Sequence, residues 1–238
     1  MGHNQDIKGP GVLGGLLKSI YPEGIPWPGS VIYDRISRTN LFREHYERVA
    51  HHVLTYCSTG RLLDIGTGPG RLLIALHNAS PGLRLTGIDI SPAMVRRARK
   101  NMDSLGLHQK IHIEEGAGAA IPFPDHTFDI VVSTAAIHHW KDPVRGLNEV
   151  YRVLRGGGYA LIYDVVSDTP SHVIQQMKRR FGGLRASFLS IHAIEEPFLS
   201  RASFQRLAED TPFKEGETCF VGVLCCLILK KEIPDIVA

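Results

Sequence analysis

Neither charge sign dominates this chain. Its 27 basic and 24 acidic residues leave a formal charge of +3, so no strong field draws it to nucleic acid. Cysteine is scarce. The four, Cys57, Cys219, Cys225 and Cys226, show no C-x-x-C spacing. Cys225 and Cys226 lie in an apolar run and read as packed, reduced core residues. That usage suits a reducing cytosol, so the expected location is cytoplasmic. No apolar stretch reaches the roughly 20 residues needed to cross a bilayer, and no membrane span is expected. The opening residues, Met1 to Asp6, lack the charged-then-apolar pattern of a signal peptide. Internal repeats and low-complexity tracts are absent too.

What remains is 238 residues with 43% hydrophobic content, the size of one α/β domain with decorations. Residues 1–30 are rich in Gly and Pro and cannot form a long helix. They read as an arm draped over the body, with Tyr21 and Trp27 as anchors. A helix is expected from about 41 to 57, with Phe42, Tyr46, Val49, Ala50, Val53 and Cys57 facing a sheet. Strands at 61–65, 84–89, 111–115, 128–133 and 159–165 alternate with helices near 70–79, 92–105 and 143–154. Such alternation builds a parallel sheet with helices on both faces. Ser91 reads as an N-cap, Pro92 as the first helical residue and Gly106 as the stop. Met94, Val95, Ala98, Met102 and Leu105 form that helix's buried stripe, and Arg96, Arg97, Arg99 and Lys100 a solvated face. The run 155–158 reads as a glycine-rich helix exit. Residues 223–229 are apolar on both alternations, as in a strand buried on both sides, and 213–220 pairs with them across Gly222.

The most informative segment is Leu62-Leu63-Asp64-Ile65-Gly66-Thr67-Gly68-Pro69-Gly70. An apolar strand ends in an acid, and three glycines follow at alternate positions before a helix. Glycine lets bare backbone approach a ligand, and the helix start presents unpaired N–H groups. A dinucleotide site wants G-x-G-x-x-G to hold a pyrophosphate. Here the spacing is G-x-G-x-G, and the carboxylate of Asp64 would repel a pyrophosphate while attracting an ammonium or sulfonium. A second strand ends in Asp89, placed to accept both hydroxyls of a ribose.

These motifs resemble the class I S-adenosylmethionine-dependent methyltransferases from about Tyr33 to Asp164. The resemblance implies a Rossmann-like, doubly wound α/β sheet of seven strands, mostly parallel, whose last strand runs antiparallel between strands five and six. It implies S-adenosylmethionine as methyl donor and S-adenosylhomocysteine as product. The implied cofactor residues are Tyr33, Asp64, Ile65, Gly66, Thr67, Gly68, Gly70, Asp89, Ile90, Met94, Gly116, Ala117, Gly118, Ser133 and Thr134. Met94 suits either an adenine edge or core packing, and Tyr33 either closure over the cofactor or packing. Gly116 and Ile121–Phe123 match the family's G-D-A-x-x-L-P-F stretch. Ala117 departs from it, where an acid usually accepts from the adenine amino group, and losing that acceptor weakens binding by roughly 1–3 kcal/mol.

Strand four leads into His138-His139-Trp140. In similar enzymes this loop borders the methyl group. One of the two histidines could take a proton from an acceptor, or pack without moving protons; Trp140 reads as a loop anchor. No second ligand at useful spacing supports a metal there. The 121–123 stretch and the His-His-Trp loop resemble the ubiquinone and menaquinone C-methyltransferase-like (type 11) group, which implies a small-molecule acceptor. No Asn-Pro-Pro-aromatic motif points to a base or amide acceptor. An RNA acceptor, served by basic residues 96–100 and 178–180, and a non-catalytic binding role remain open alternatives. Residues 1–40 are expected to form an arm and cap. Residues 41–238 form one methyltransferase domain, with a lid or helix-pair insertion at about 167–200. A homodimer is compatible with this organisation.

Overall fold

The computed structural model describes residues 31, 34, 35, 37–181 and 198–233. The arm with Tyr21 and Trp27, the aromatic Tyr33 and the middle of the 167–200 insertion lie outside the described residues. The chain order is α1 (Asn40–Leu54), β1 (Gly60–Ile65), α2 (Arg71–Ala79), β2 (Leu83–Asp89), α3 (Pro92–Ser104), β3 (Ile111–Glu115) and β4 (Phe128–Thr134). A 3-10 turn (Ile137–His139), α4 (Pro143–Val153), β5 (Leu154–Asp164), α5 (Ser171–Phe181), α6 (Arg201–Arg206), β6 (Glu217–Val221) and β7 (Leu224–Lys230) follow.

The strands form one seven-stranded sheet in the order β3-β2-β1-β4-β5-β7-β6. Strands β1 to β5 are parallel, and β7 runs antiparallel between β5 and β6. Period-two alternation divides the apolar side chains between two cores. Leu62 packs on one face and Leu63 on the other; Cys226 joins the first core, Cys225 and Leu227 the second. Strand β7 is therefore apolar on both alternations because both its faces are covered. Among the described residues no helix is long and apolar enough to cross a membrane.

Helix α3 follows its punctuation. Ser91 Oγ accepts from the Met94 N–H and Pro92 occupies the first turn. Its buried stripe differs at one position. Leu105 is 53% exposed, because the helix ends at Ser104 and Leu105 already has non-helical backbone. Asn101 is buried instead, with its amide fully engaged. It donates to Asp34 Oδ1 at 3.1 Å and to the Pro69 carbonyl at 2.9 Å, and accepts from Arg38 at 3.3 Å. A polar residue can occupy a core position when its hydrogen bonds are met there.

Three further boundaries move. Helix α1 ends at Leu54, and 55–57 is a capped turn rather than helix. Residues 155–158 belong to β5, not to a helix exit. The register of β4 against β5 shifts between Phe128 and Ile130, and Gly157 takes φ +81° there. The glycines absorb an irregularity in the ladder. Strand β6 begins at Glu217, and 213–216 is irregular apart from turns.

Candidate active site

The carboxyl ends of β1, β2 and β4 meet at the middle of the sheet, where the chain order reverses and ligands bind in open α/β sheets. The glycine turn after β1 is pinned there by its own backbone. The N–H groups of Gly66 and Thr67 both donate to the Ile88 carbonyl at 2.9 Å. Gly66, Gly68 and Gly70 take φ +73°, +51° and +78°, a region that glycine enters without strain. A Cβ at Gly66 would lie 2.6 Å from the Ala136 Cβ. The turn thus lies against the loop that carries the two histidines.

Asp89 ties this turn to the next helix. Its Oδ2 accepts from the Gly68 N–H at 2.8 Å and its Oδ1 from the Ser91 N–H at 2.9 Å. A carboxylate offers about four lone-pair sites, so about two remain for a diol. Burial pushes this carboxyl up, and the two backbone donors oppose that pull.

A single cavity of about 950 Å³ opens beside these elements, at the upper end of small-molecule sites. Ile65, Gly66, Gly68, Asp89, Ile90, Met94, Gly116, Ala117, Gly118 and Thr134 line it, as do both His138 and His139. The side-chain oxygen of Thr134 is buried with no hydrogen-bond partner among the described residues. The four remaining described residues expected to hold the cofactor stand behind the wall. Asp64 is 2% exposed and accepts from Thr67 Oγ1 at 2.7 Å. Ser133 donates to the Ile65 carbonyl at 2.9 Å. Gly70 is the N-cap of α2, and a Cβ there would strike Met102. Tyr33 lies outside the described residues.

Burial raises the Asp64 carboxyl to about 7, against the Thr67 hydrogen bond and with the nearby Asp89 charge adding to the rise. An acid raised in the fold is favoured there in its protonated form. Its stabilising effect is complete below the ordinary carboxylate range and is lost as pH climbs through 7. Ligand-free protein should therefore melt at progressively lower temperature from about pH 4 to about pH 7, by a stability difference of up to roughly 4 kcal/mol. Asp64→Asn should flatten that dependence; an equal slope in the variant would assign it to other groups.

The other half of the cavity comes from further along the chain. Phe42 and Tyr46 of α1, Val173 and Met177 of α5, Phe198 and Leu224 line it. Phe42 and Tyr46, expected to face the sheet, thus help to wall the cavity, while Val49, Ala50 and Val53 are fully buried. Helix α5 falls within the expected insertion, and its buried Val173 and Met177 line the wall together with its exposed Gln176, Arg179 and Arg180.

His138 lines the same cavity, its ring centroid 5.0 Å from that of Phe198. Its Nδ1 lies 2.8 and 3.0 Å from the two carboxylate oxygens of Asp164, and their side chains are 6% and 3% exposed. Asp164 also accepts from the backbone N–H groups of His138 and Val165. An ionised acceptor at Nδ1 selects the Nδ1–H tautomer and leaves Nε2 as the basic nitrogen. The ring centroids of His138 and His139 are 3.9 Å apart. Both rings reach the cavity because the 3-10 turn does not splay successive side chains as a strand would. Trp140 packs against Gly118 and Gly146; an added Cβ would lie 3.0 Å from its ring at Gly118 and would strike the ring at Gly146.

Two groups were missed by the sequence reading. Asp164 ends an apolar strand as Asp89 does, and the same rule points to it. Asp34, 3% exposed, binds Arg71 at 2.6 Å, Arg38 at 2.9 Å and Asn101 at 3.1 Å. Against the upward pull of burial, these donors hold its carboxyl low. The network braces Pro69 and the start of α2 from behind. Asp34→Ala should cost roughly 1–3 kcal/mol of stability. In urea unfolding its effect should be non-additive with that of Asn101→Ala; simple additivity would show the two act separately.

Among the described residues no group of three or more His, Cys, Asp or Glu is arranged to hold a metal ion. The basic run 96–100 is partly used structurally, since Arg99 donates twice to the Ile113 carbonyl, at 3.0 and 2.8 Å.

A family model described as a methyltransferase domain matches residues 63–162. The demethylmenaquinone methyltransferase of Chlorobaculum parvum is 34% identical over 168 residues, 66% of this chain and 67% of that protein. The demethylmenaquinone methyltransferase of Thermus thermophilus is 35% identical over 104 residues, 44% of this chain and 46% of that one. The chain thus spans about half the length or less of the first curated relatives it matches. Among solved structures, a protein of Methanococcus maripaludis, assigned as an S-adenosyl-L-methionine-dependent methyltransferase, superposes with TM-score 0.71. It is 24% identical and the match covers 88% of this chain and 94% of that one. An S-adenosylmethionine-dependent methyltransferase of Aquifex aeolicus gives TM-score 0.58 at 22% identity, covering 76% and 88%. These likenesses establish the shared fold.

Proposed function

Because this chain belongs to the methyltransferase-domain family, we propose that it transfers a methyl group from S-adenosylmethionine to a small, flat, largely apolar acceptor of the hydroquinone type. The observation that carries this reading is one continuous cavity. Strand-end residues suited to a charged nucleoside line one part, apolar side chains of α1, α5 and β7 line another, and His138 belongs to the same wall.

The residues fit the cofactor. Positive-φ glycines leave room for it at the turn, Asp89 keeps lone pairs for ribose hydroxyls, and the buried Thr134 hydroxyl has no partner among the described residues. The backbone of Ala117 and Gly118, on the cavity wall, takes over where the family's adenine-binding acid is missing. Bound there, S-adenosylmethionine supplies a methyl group on a cationic sulfur, whose transfer needs alignment and dryness more than activation. The chain's own contribution is to orient the acceptor between apolar walls and to move one proton. His138 Nε2 takes the proton from an acceptor hydroxyl, which raises electron density on the acceptor ring. Asp164 fixes the ring's tautomer and stabilises the imidazolium that forms. The two curated relatives described above are named as demethylmenaquinone methyltransferases, and the aromatic and aliphatic side chains of the lining suit such a ring. Four free thiols suit a reducing compartment, and the cytoplasm is our assignment.

The test uses labelled S-adenosylmethionine with a short-chain naphthohydroquinone, with RNA and with protein alone. Label on the naphthohydroquinone and none on RNA is expected. Label confined to RNA, or no thermal stabilisation by S-adenosylmethionine or S-adenosylhomocysteine, would overturn the proposal.

A further inference from the structure

The mechanism leaves one cluster of reactive groups unused. Cys219 of β6 and Cys226 of β7 are direct partners in antiparallel register. Residues so opposed have Cα atoms about 4.5 or 5.5 Å apart, and both spacings fall in the range a disulfide bridges. The two side chains therefore face each other on one side of the hairpin. His52 of α1 closes on the pair. Its Nε2 lies 3.5 Å from Cys219 Sγ, and its Nδ1 lies 2.8 Å from the Tyr163 hydroxyl.

The protonation states follow from burial. Burial holds Tyr163 as a phenol and His52 as a neutral imidazole. The neutral ring thus bridges the Tyr163 hydroxyl at Nδ1 and the Cys219 sulfur at Nε2. The neighbouring Cys226 thiol, with the Arg201 charge behind it, brings the Cys219 thiol down to about 7 despite burial. Burial pushes the Cys226 thiol up. The pair is thus asymmetric, one half-buried nucleophile beside one fully buried thiol. A lowered attacking thiol next to a second sulfur is the arrangement that reacts and resolves. Cys225 cannot substitute for Cys226, because it packs in the core on the other face of the sheet.

We propose that Cys219 and Cys226 form an oxidation site, at which a hydroperoxide converts the two thiols into a cross-strand disulfide. The Cys219 thiolate attacks one peroxide oxygen. The S–O bond forms, the O–O bond breaks, and the leaving oxygen departs with the proton given up by Cys219, as water from hydrogen peroxide or as an alcohol from an organic hydroperoxide. The Cys226 sulfur then attacks the resulting sulfenic acid. The S–S bond forms, the S–O bond breaks, and hydroxide leaves as water with the Cys226 proton. Two thiols and one hydroperoxide become one disulfide, one water and the reduced hydroperoxide, which is a second water for hydrogen peroxide. The bond would lock the hairpin whose turn, Gly222 to Leu224, walls the cavity.

The full-length protein is treated with hydrogen peroxide, unfolded, alkylated and weighed intact. The expected product has two of its four cysteines protected and a mass about 2 Da lower before alkylation, restored by dithiothreitol. Cys225→Ser should behave as wild type. Cys226→Ser and Cys226→Ala should stop at a dimedone-reactive sulfenic acid on Cys219, and Cys219→Ser should give neither product; circular dichroism checks each fold. Four alkylatable thiols in treated wild type, or a disulfide that persists without Cys226, would overturn the proposal. The wild-type and Cys225→Ser masses decide it even should a Cys226 variant misfold. The readout is independent of methyl transfer.

Discussion

Valine in place of Gly66 should abolish S-adenosylmethionine binding in a chain that still folds. The residue sits at φ +73°, where a β-branched side chain is a steric outlier. Holding valine there costs on the order of 1–3 kcal/mol. The alternative is to rotate the backbone, which breaks the paired donation of Gly66 and Thr67 to the Ile88 carbonyl. The added Cβ would also press on Ala136 at 2.6 Å, two residues ahead of His138. Any of these responses moves the cavity wall. A loss of at least about 3 kcal/mol, over 100-fold in affinity, is expected. Gly106→Ala is the control. Gly106 also has positive φ, +68°, but its Cβ would meet nothing within 4 Å. It should cost stability alone and leave affinity intact. Calorimetric titration measures both variants, with circular dichroism reporting the fold. A folded Gly66→Val protein with unchanged affinity would show that this turn does not hold the cofactor.

The contrast between those glycines also explains what a sequence shows plainly and what it hides. The turn after β1 is legible because its requirement is local: three alternating positive-φ positions need glycine whatever surrounds them. Strand β7 is legible for a similar reason, since two covered faces demand apolar residues at every position. Asp89 is legible from its place at a strand end. Asp164 occupies the same kind of place, yet its role depends on a histidine 26 positions earlier, and only the pairing of β4 with β5 brings them together. Asp34 is harder still. Its partners Arg71 and Asn101 come from two other helices, and nothing in the local pattern distinguishes it from a surface acid. The exchange of Leu105 for Asn101 in the core has the same origin. Periodicity scores apolarity along one helix, whereas the Asn101 amide is satisfied by groups outside it. The bulge in β5 is another tertiary effect, set by register against β4 rather than by the glycine run alone.

Removing the base should separate chemistry from binding. His138→Gln keeps a polar side chain of similar reach but cannot accept and hold a proton at neutral pH. The loss expected for one general base is about 10²–10⁴ in kcat, with cofactor affinity unchanged because His138 does not belong to the glycine turn. Asp164→Asn tests the positioning half of the argument. An asparagine retains the shape and can donate its own N–H to Nδ1, but that favours the tautomer with the proton on Nε2, where the base is needed. Its kcat should therefore fall by a similar factor although His138 is still present. A structural role would leave a different trace: KM for the acceptor would rise and kcat would hold. That result would make the two histidine rings part of the apolar wall and return the proton transfer to solvent.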